Sequence, residues 1–166
     1  MANFHTYKTK VYYEDTDAGG VVYYAKYLHF IERARTEMIY DRLKLNHKNL
    51  KDDFNAIFVV RECNVKYHKS ANFEDNLDVC THVFKKTPVR LNLIQEVKRE
   101  KEILVTAEVE LAVVDSNGSI NKLPKKLLEK ILTNFKLHIT WYFQKKIVLK
   151  FDQNLVSNKD MEAKTS

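Results

Sequence analysis

In the segment VYYEDTDAGGVVYYAKYLHF, Val11 to Phe30, three carboxylates fall within four positions: Glu14, Asp15 and Asp17. Two of the chain's three glycines, Gly19 and Gly20, follow at once. A carboxylate at a turn beside glycines can work as a general base or as a nucleophile. The glycine pair supplies backbone that can take φ > 0 or let another atom come close. Val22, Tyr23 and Tyr24 stand near the start of an apolar helical pattern, where unpaired N–H groups can stabilise charge developing on a substrate oxygen. The stretch predicts a strand, an acidic turn and a helix start. An aspartate at a turn also serves as a helix cap, and Asp15 and Glu14 read as turn-shaping or interface charges.

Other polar groups offer less. Lys85, Lys86 and Arg90 cluster in FKKTPVRL at a strand turn and suit phosphate, or merely solvent. His29, His47, His68 and His82 lack metal-ligand spacing, and no metal is expected. A calcium loop counted from Asp15 puts Gly19 and Lys26 where ligands should sit. The DTD of Asp15 to Asp17 also resembles the opening of haloacid-dehalogenase-type phosphatases, but that fold needs a parallel sheet.

The elements that must position these groups follow from periodicity. Tyr7 to Tyr13 reads as a strand. Tyr27, Leu28, Ile31, Ala34, Met38 and Ile39 recur at threes and fours, predicting a helix of about four to five turns. After a polar connection, NHKNLKDDFN, come four strand-like segments: Ile57 to Tyr67, Leu77 to Phe84, Val89 to Val97 and Ile103 to Val114. In the last, Ile103, Val105, Ala107, Val109, Leu111 and Val113 share one face. An Asn-Gly turn within Asp115 to Ser119 and a short amphipathic helix opened by Pro124 close the series. Consecutive strands joined by short turns should pair antiparallel, with the one long helix covering the inner face. The class is α+β.

Composition sets the frame. A chain of 166 residues suits one domain and buries roughly 70% of its unfolded surface. No apolar run approaches the roughly 20 residues of a membrane span, and MANFHTYKTK has no secretory pattern, so a cytoplasmic protein is expected. Cys63 and Cys80 lie in separate alternating segments and suit reduced, buried thiols. The net charge of +6 is uneven: residues 1–121 carry 18 basic and 18 acidic side chains, while residues 122–166 carry ten lysines against four acids. A neutral body argues against nucleic acid as a partner.

The residues VYYEDTDAGGVVYYAKYLHFIERARTE resemble the signature of the hot-dog fold acyl-CoA thioesterases of the 4-hydroxybenzoyl-CoA thioesterase family, and within it the bacterial Tol-Pal-associated group. The D-x-D-x-x-G-x-V-Y core followed by E-R-A-R-T-E carries the likeness, which runs to about Phe135. It implies a five-stranded antiparallel sheet wrapped around one long helix, a C-terminal helix and tail, and homodimers or homotetramers with active sites between protomers. It implies an acyl-CoA substrate, with an acyl carrier protein as a further partner, and no cofactor. Asp17 becomes base or nucleophile, the N–H near Tyr24 the polarising donor, and Gly19, Gly20 and Val22 the lining for the acyl group. The phosphates of coenzyme A then suit Lys85, Lys86 and Arg90. Where the Tol-Pal-associated group commonly has His after G-G-V-V-Y, this chain has Tyr24, as in the aromatic-acyl branch. Short-chain or aromatic acyl groups are the expected substrates, and a fold-mate that binds thioesters without hydrolysis is the alternative. Tyr23 and Tyr27 read as core aromatics. Arg33 and Arg35 read as structural, paired with Glu32 and Glu37 or across a dimer.

The hot-dog domain is assigned to residues 1–137 and a basic extension to residues 138–166. Its WYFQKKIVLKF suits an added strand, a docked helix or a loose segment, and permits contact with a membrane surface. Ser157 to Ser166 is expected to be disordered.

Overall fold

The computed structural model describes residues 4–127, which lie in the first of the two units, Met1–Lys136 and Leu137–Ser166, into which the chain divides. Strand β1 (His5–Lys10) stops short of the predicted Tyr13 because Tyr13–Asp15 winds into a 3-10 turn. The Asp15 carboxylate makes that turn by accepting the Tyr12 N–H at 2.9 Å. Helix α1 (Lys26–Leu43) follows, then α2 (His47–Phe54), β2 (Ile57–Tyr67), β3 (Asn76–Thr87), β4 (Arg90–Arg99) and β5 (Glu102–Val114). Residues 125–127 begin the helix expected after Pro124. The rest of that helix and the whole 138–166 extension lie outside the described residues.

The apolar stripe of α1 is buried as its spacing predicts except at Leu28, which is 44% exposed; Tyr27, Ile31, Ala34, Met38 and Ile39 are in the core, joined by Phe30 and Leu43. Each large apolar side chain so buried contributes about 1.5–3 kcal/mol. Lys44 stops the helix in the left-handed region (φ 54°), returning its N–H to the Tyr40 carbonyl at 2.8 Å. Helix α2 was not anticipated in the polar connection. Its signal is short: Asn46 caps the Asn49 N–H at 2.8 Å, and only Leu50 is buried.

All strand pairs are antiparallel, in the order β1-β3-β4-β5-β2. Consecutive pairing holds for β3 with β4 and β4 with β5. It fails for β2, which joins the far side of β5, so residues 68–75 must cross from one edge toward the other. That crossing is tied to the start of α1. Val22 N–H donates to the Ala71 carbonyl at 2.9 Å, and Ala71 N–H donates to the Tyr27 hydroxyl at 2.8 Å.

Helix α1 lies over β1, β3 and β4. Beneath it the register aligns Val79, Thr81, Leu93, Gln95, Ala107 and Val109 on one face, all buried. The same register puts Cys63, Val65 and Tyr67 of β2 on this inner face. The helix leaves that edge uncovered: Val60 is 50% and Tyr67 47% exposed. Cys63 is therefore exposed, against the expectation of two buried thiols; Cys80 is buried, and both are free. Among the described residues no helix is long and apolar enough to cross a membrane.

Candidate active site

Asp17 opens a tight loop between two short antiparallel bridging positions, Thr16 and Val22. Its N–H donates to the Val21 carbonyl at 2.9 Å, and its own carbonyl accepts the Gly20 N–H at 3.0 Å. Gly20 takes φ 75°, the left-handed region a side chain disfavours, and so closes the turn. Gly19 has a different task. Its N–H donates to Asp17 Oδ1 at 2.8 Å, and a Cβ built there would stand 3.0 Å from that same oxygen. One carboxylate oxygen is thus fixed by the backbone. The other has no hydrogen-bond partner among the described residues, and the side chain is exposed.

The neighbouring acid does structural work. Asp15 is buried at 3% exposure, faces Lys26 Nζ at 3.5 Å, and its carbonyl accepts the Tyr23 N–H at 2.9 Å. This matches the turn-shaping role read for it. By holding Tyr23, Asp15 sets where α1 begins.

The start of α1 is open. Ala25 stands at the cap position without a side-chain cap, and the first turn carries no acidic residue. The Tyr24 N–H makes no hydrogen bond among the described residues, whereas the Tyr24 carbonyl accepts the Tyr67 hydroxyl at 3.2 Å. Unpaired amides at a helix N-terminus carry partial positive charge, which favours an anionic oxygen placed against them. The aromatic rings around it belong to Tyr23 and Tyr24, 4.6 Å apart, and Tyr67, 6.3 Å from Tyr24. Tyr27 is in the core as expected, but Tyr23 is 43% exposed and is not a core aromatic. The loop carries it to the surface three residues before α1 begins at Lys26. Val22 is buried.

Burial raises the Tyr67 and Tyr27 hydroxyls above the ordinary phenol value; for Tyr27 the hydrogen bond from Ala71 works in the opposite direction. Both therefore stay protonated at neutral pH.

The basic turn lies elsewhere. Lys85 and Arg90 flank the β3–β4 connection, level with Asn92 and Ala112, while Tyr67 is level with Val105 and Val97. The seven-residue offset along β4 places the two ends of the sheet about 23 Å apart. Within one chain, then, the fold gathers Asp17, Gly19, Gly20, Val22 and Tyr24 but not Lys85, Lys86 and Arg90. Lys85 is exposed, and Arg90 Nη1 lies 3.5 Å from Glu110 Oε1. Lys86 Nζ is buried with no hydrogen-bond partner among the described residues, and burial lowers its pKa.

Sequence reasoning missed Gln95, Tyr67 and Ala71. Gln95 is fully buried under α1; its Oε1 accepts Arg35 Nη1, and its Nε2 donates to the Ile31 carbonyl and to Thr81 Oγ1, each at 2.9 Å. A lone glutamine in the apolar run LNLIQEV was the available signal.

Comparison with known proteins fits this architecture. A family model described as the thioesterase-like superfamily matches residues 11–131. The chain is 40% identical over 115 residues to the acyl-CoA thioesterase YbgC of Haemophilus influenzae, covering 69% of this chain and 84% of that one. It is 38% identical over 132 residues to the acyl-CoA thioester hydrolase YbgC of Escherichia coli, covering 76% and 92%. The crystal structure of a probable thioesterase from Bartonella henselae superposes with a TM-score of 0.70 at 33% identity, covering 73% of this chain and 99% of that one.

Proposed function

The chain belongs to the thioesterase-like superfamily, and from that premise we propose that it hydrolyses acyl-CoA thioesters to the free acid and coenzyme A, with Asp17 supplying the chemistry. The observation that carries the reading is a carboxylate with one oxygen pinned by Gly19 N–H and the other without a partner among the described residues, in the loop that leads into an uncapped helix start. The thioester carbonyl accepts the free Tyr24 N–H, which stabilises the oxygen as it turns negative. Asp17 either draws a proton from a water that attacks the carbonyl carbon, or attacks that carbon itself to form an anhydride that water then hydrolyses to the free acid. In both routes the C–S bond breaks and the coenzyme A thiolate leaves. Gly19, Gly20 and Val22 line the acyl group, short-chain or aromatic.

A homodimer, or a tetramer of such dimers, belongs to this reading. Asp17 is exposed on a single chain, and the basic turn that suits coenzyme A phosphates stands a sheet's length away from it. A second copy can bring its Lys85 and Arg90 to the first copy's Asp17; Lys86 joins them only if its buried amine turns outward. A thioester carried on an acyl carrier protein presents the same carbonyl and is an alternative substrate form. Placement in the cytoplasm rests on the lack of a secretory pattern in MANFHTYKTK and of a membrane-length apolar run, and placement beside the Tol-Pal system on the likeness of the Val11 to Glu37 signature.

The test is turnover by the full chain on a panel of acyl-CoA esters of graded length, aromatic acyl groups included. Asp17→Asn should abolish hydrolysis while leaving the fold intact. Unchanged turnover in that variant, or binding without turnover by the unmodified chain, overturns the proposal.

A further inference from the structure

Lys26 stands where a cation is disfavoured. It is the first residue of α1, and the first turn of that helix holds no acid to offset it. A helix N-terminus carries partial positive charge, so an ammonium there is repelled unless an anion accompanies it. Asp15 is that anion. Lys26 Nζ lies 3.5 Å from Asp15 Oδ1, and neither residue enters any other ion pair among the described residues.

The two partners are held unequally. Asp15 is 3% exposed; its second oxygen accepts the Tyr12 N–H and its carbonyl accepts the Tyr23 N–H, each at 2.9 Å. With both carboxylate oxygens engaged, Asp15 has none to offer a substrate. Lys26 keeps 29% of its side chain in solvent, on a flexible four-carbon stem. The acid is fixed, and the ammonium can swing.

A second acceptor stands within its range. Asp17 follows Asp15 by two residues, which sets their Cα atoms at most about 7 Å apart. Asp17 is exposed, and only its Oδ1 is held, by the Gly19 N–H at 2.8 Å. The other oxygen has no partner among the described residues, and it is the one that the proposed hydrolysis uses. An ammonium paired with it would compete with the attacking water or with the thioester itself.

We infer that Asp15 is a positioning residue that acts through Lys26: by holding the ammonium against itself, it keeps the Asp17 carboxylate unpaired for the thioester. The inference rests on the hydrolase reading and adds to it a reason for burying one acid two residues before the working one.

The test is steady-state hydrolysis of butyryl-CoA and benzoyl-CoA by the full chain. Asp15→Asn keeps an oxygen for the Tyr12 N–H but loses the charge that holds Lys26. Its kcat/KM should fall about five-fold, as a competing ion pair at an exposed carboxylate would make it. Relative to the unmodified protein, part of that loss should return as salt is raised from about 0.01 M to about 1 M. Adding Lys26→Met to Asp15→Asn removes the ammonium and should bring kcat/KM back to within about 1.5-fold of the unmodified chain. Adding Lys10→Met instead, at a lysine that faces Glu74 at 3.6 Å, should restore nothing. Thermal unfolding reports whether each variant is folded; should Asp15→Asn not fold, Asp15→Ser, smaller and again uncharged, takes its place with and without Lys26→Met. Unchanged kcat/KM in the Asp15 variant, or a loss that Lys26→Met does not repair, overturns the inference and leaves the hydrolase reading standing. No turnover by the unmodified chain overturns both.

Discussion

Gly19 N–H donates to Asp17 Oδ1 at 2.8 Å, and a methyl at position 19 would stand 3.0 Å from that oxygen. The glycine therefore serves the acid beside it, whereas a Cβ on Gly20 would meet nothing within 4 Å among the described residues, and Gly20 serves the turn through its φ of 75°. The two adjacent glycines should separate in their effects. Gly19→Ala moves the carboxylate by a few tenths of an ångström or rotates it off the amide, and kcat should fall about ten- to 100-fold with little change in melting temperature. Gly20→Ala strains the backbone and should cost about 1–2 kcal/mol of stability. Steady-state kinetics and thermal unfolding on both variants check this.

The Tyr24 side chain and its main chain should likewise separate. The proposed donor is the Tyr24 N–H, which Tyr24→Phe retains, so that variant should keep kcat within about ten-fold. Tyr67→Phe deletes the hydroxyl that holds the Tyr24 carbonyl at 3.2 Å and should lower kcat more than it changes KM. A Tyr24→Phe loss as deep as that of Asp17→Asn would move the donor from backbone to side chain.

Much of this was legible because periodicity reports burial. The α1 stripe apart from the exposed Leu28, the alternation along β5 and the Asn-Gly turn have the predicted place, Gly118 taking φ 81°. What pattern could not report was long-range partnership. Strand β2 reads like its neighbours, yet it pairs across the sheet with β5, and that swap sends Ala71 over the helix start and leaves Cys63 exposed. Helix α2 was hidden because one buried leucine gives no period. Asp17 and its glycines were visible as a cluster of types; that Gly19 holds the acid itself was visible only in the distance.

Gln95 should be the most sensitive polar residue of the core. Gln95→Leu removes the only hydrogen-bond acceptor that Arg35 has among the described residues, together with the links to Ile31 and Thr81. A loss of about 3–5 kcal/mol is expected, read from urea unfolding at a concentration where the protein is monomeric. A loss below about 1 kcal/mol would mean that the guanidinium relaxes to solvent.

Tyr27 predicts the alkaline limit of the fold. Its hydroxyl, on a side chain 2% exposed, accepts the Ala71 N–H, and burial raises its pKa above 10.0. Below that pH the phenol is neutral in both folded and unfolded chains and adds no slope. Above it the unfolded chain releases the proton first, so stability falls as pH rises, by up to about 1.4 kcal/mol per unit, until the folded group also ionises. Tyr27→Phe leaves the Ala71 N–H without its acceptor, which should cost about 1–3 kcal/mol at neutral pH, and should take away this share of the alkaline slope. Denaturant unfolding between pH 8 and about 11 on both proteins measures the difference; parallel slopes would place the Tyr27 hydroxyl in contact with water.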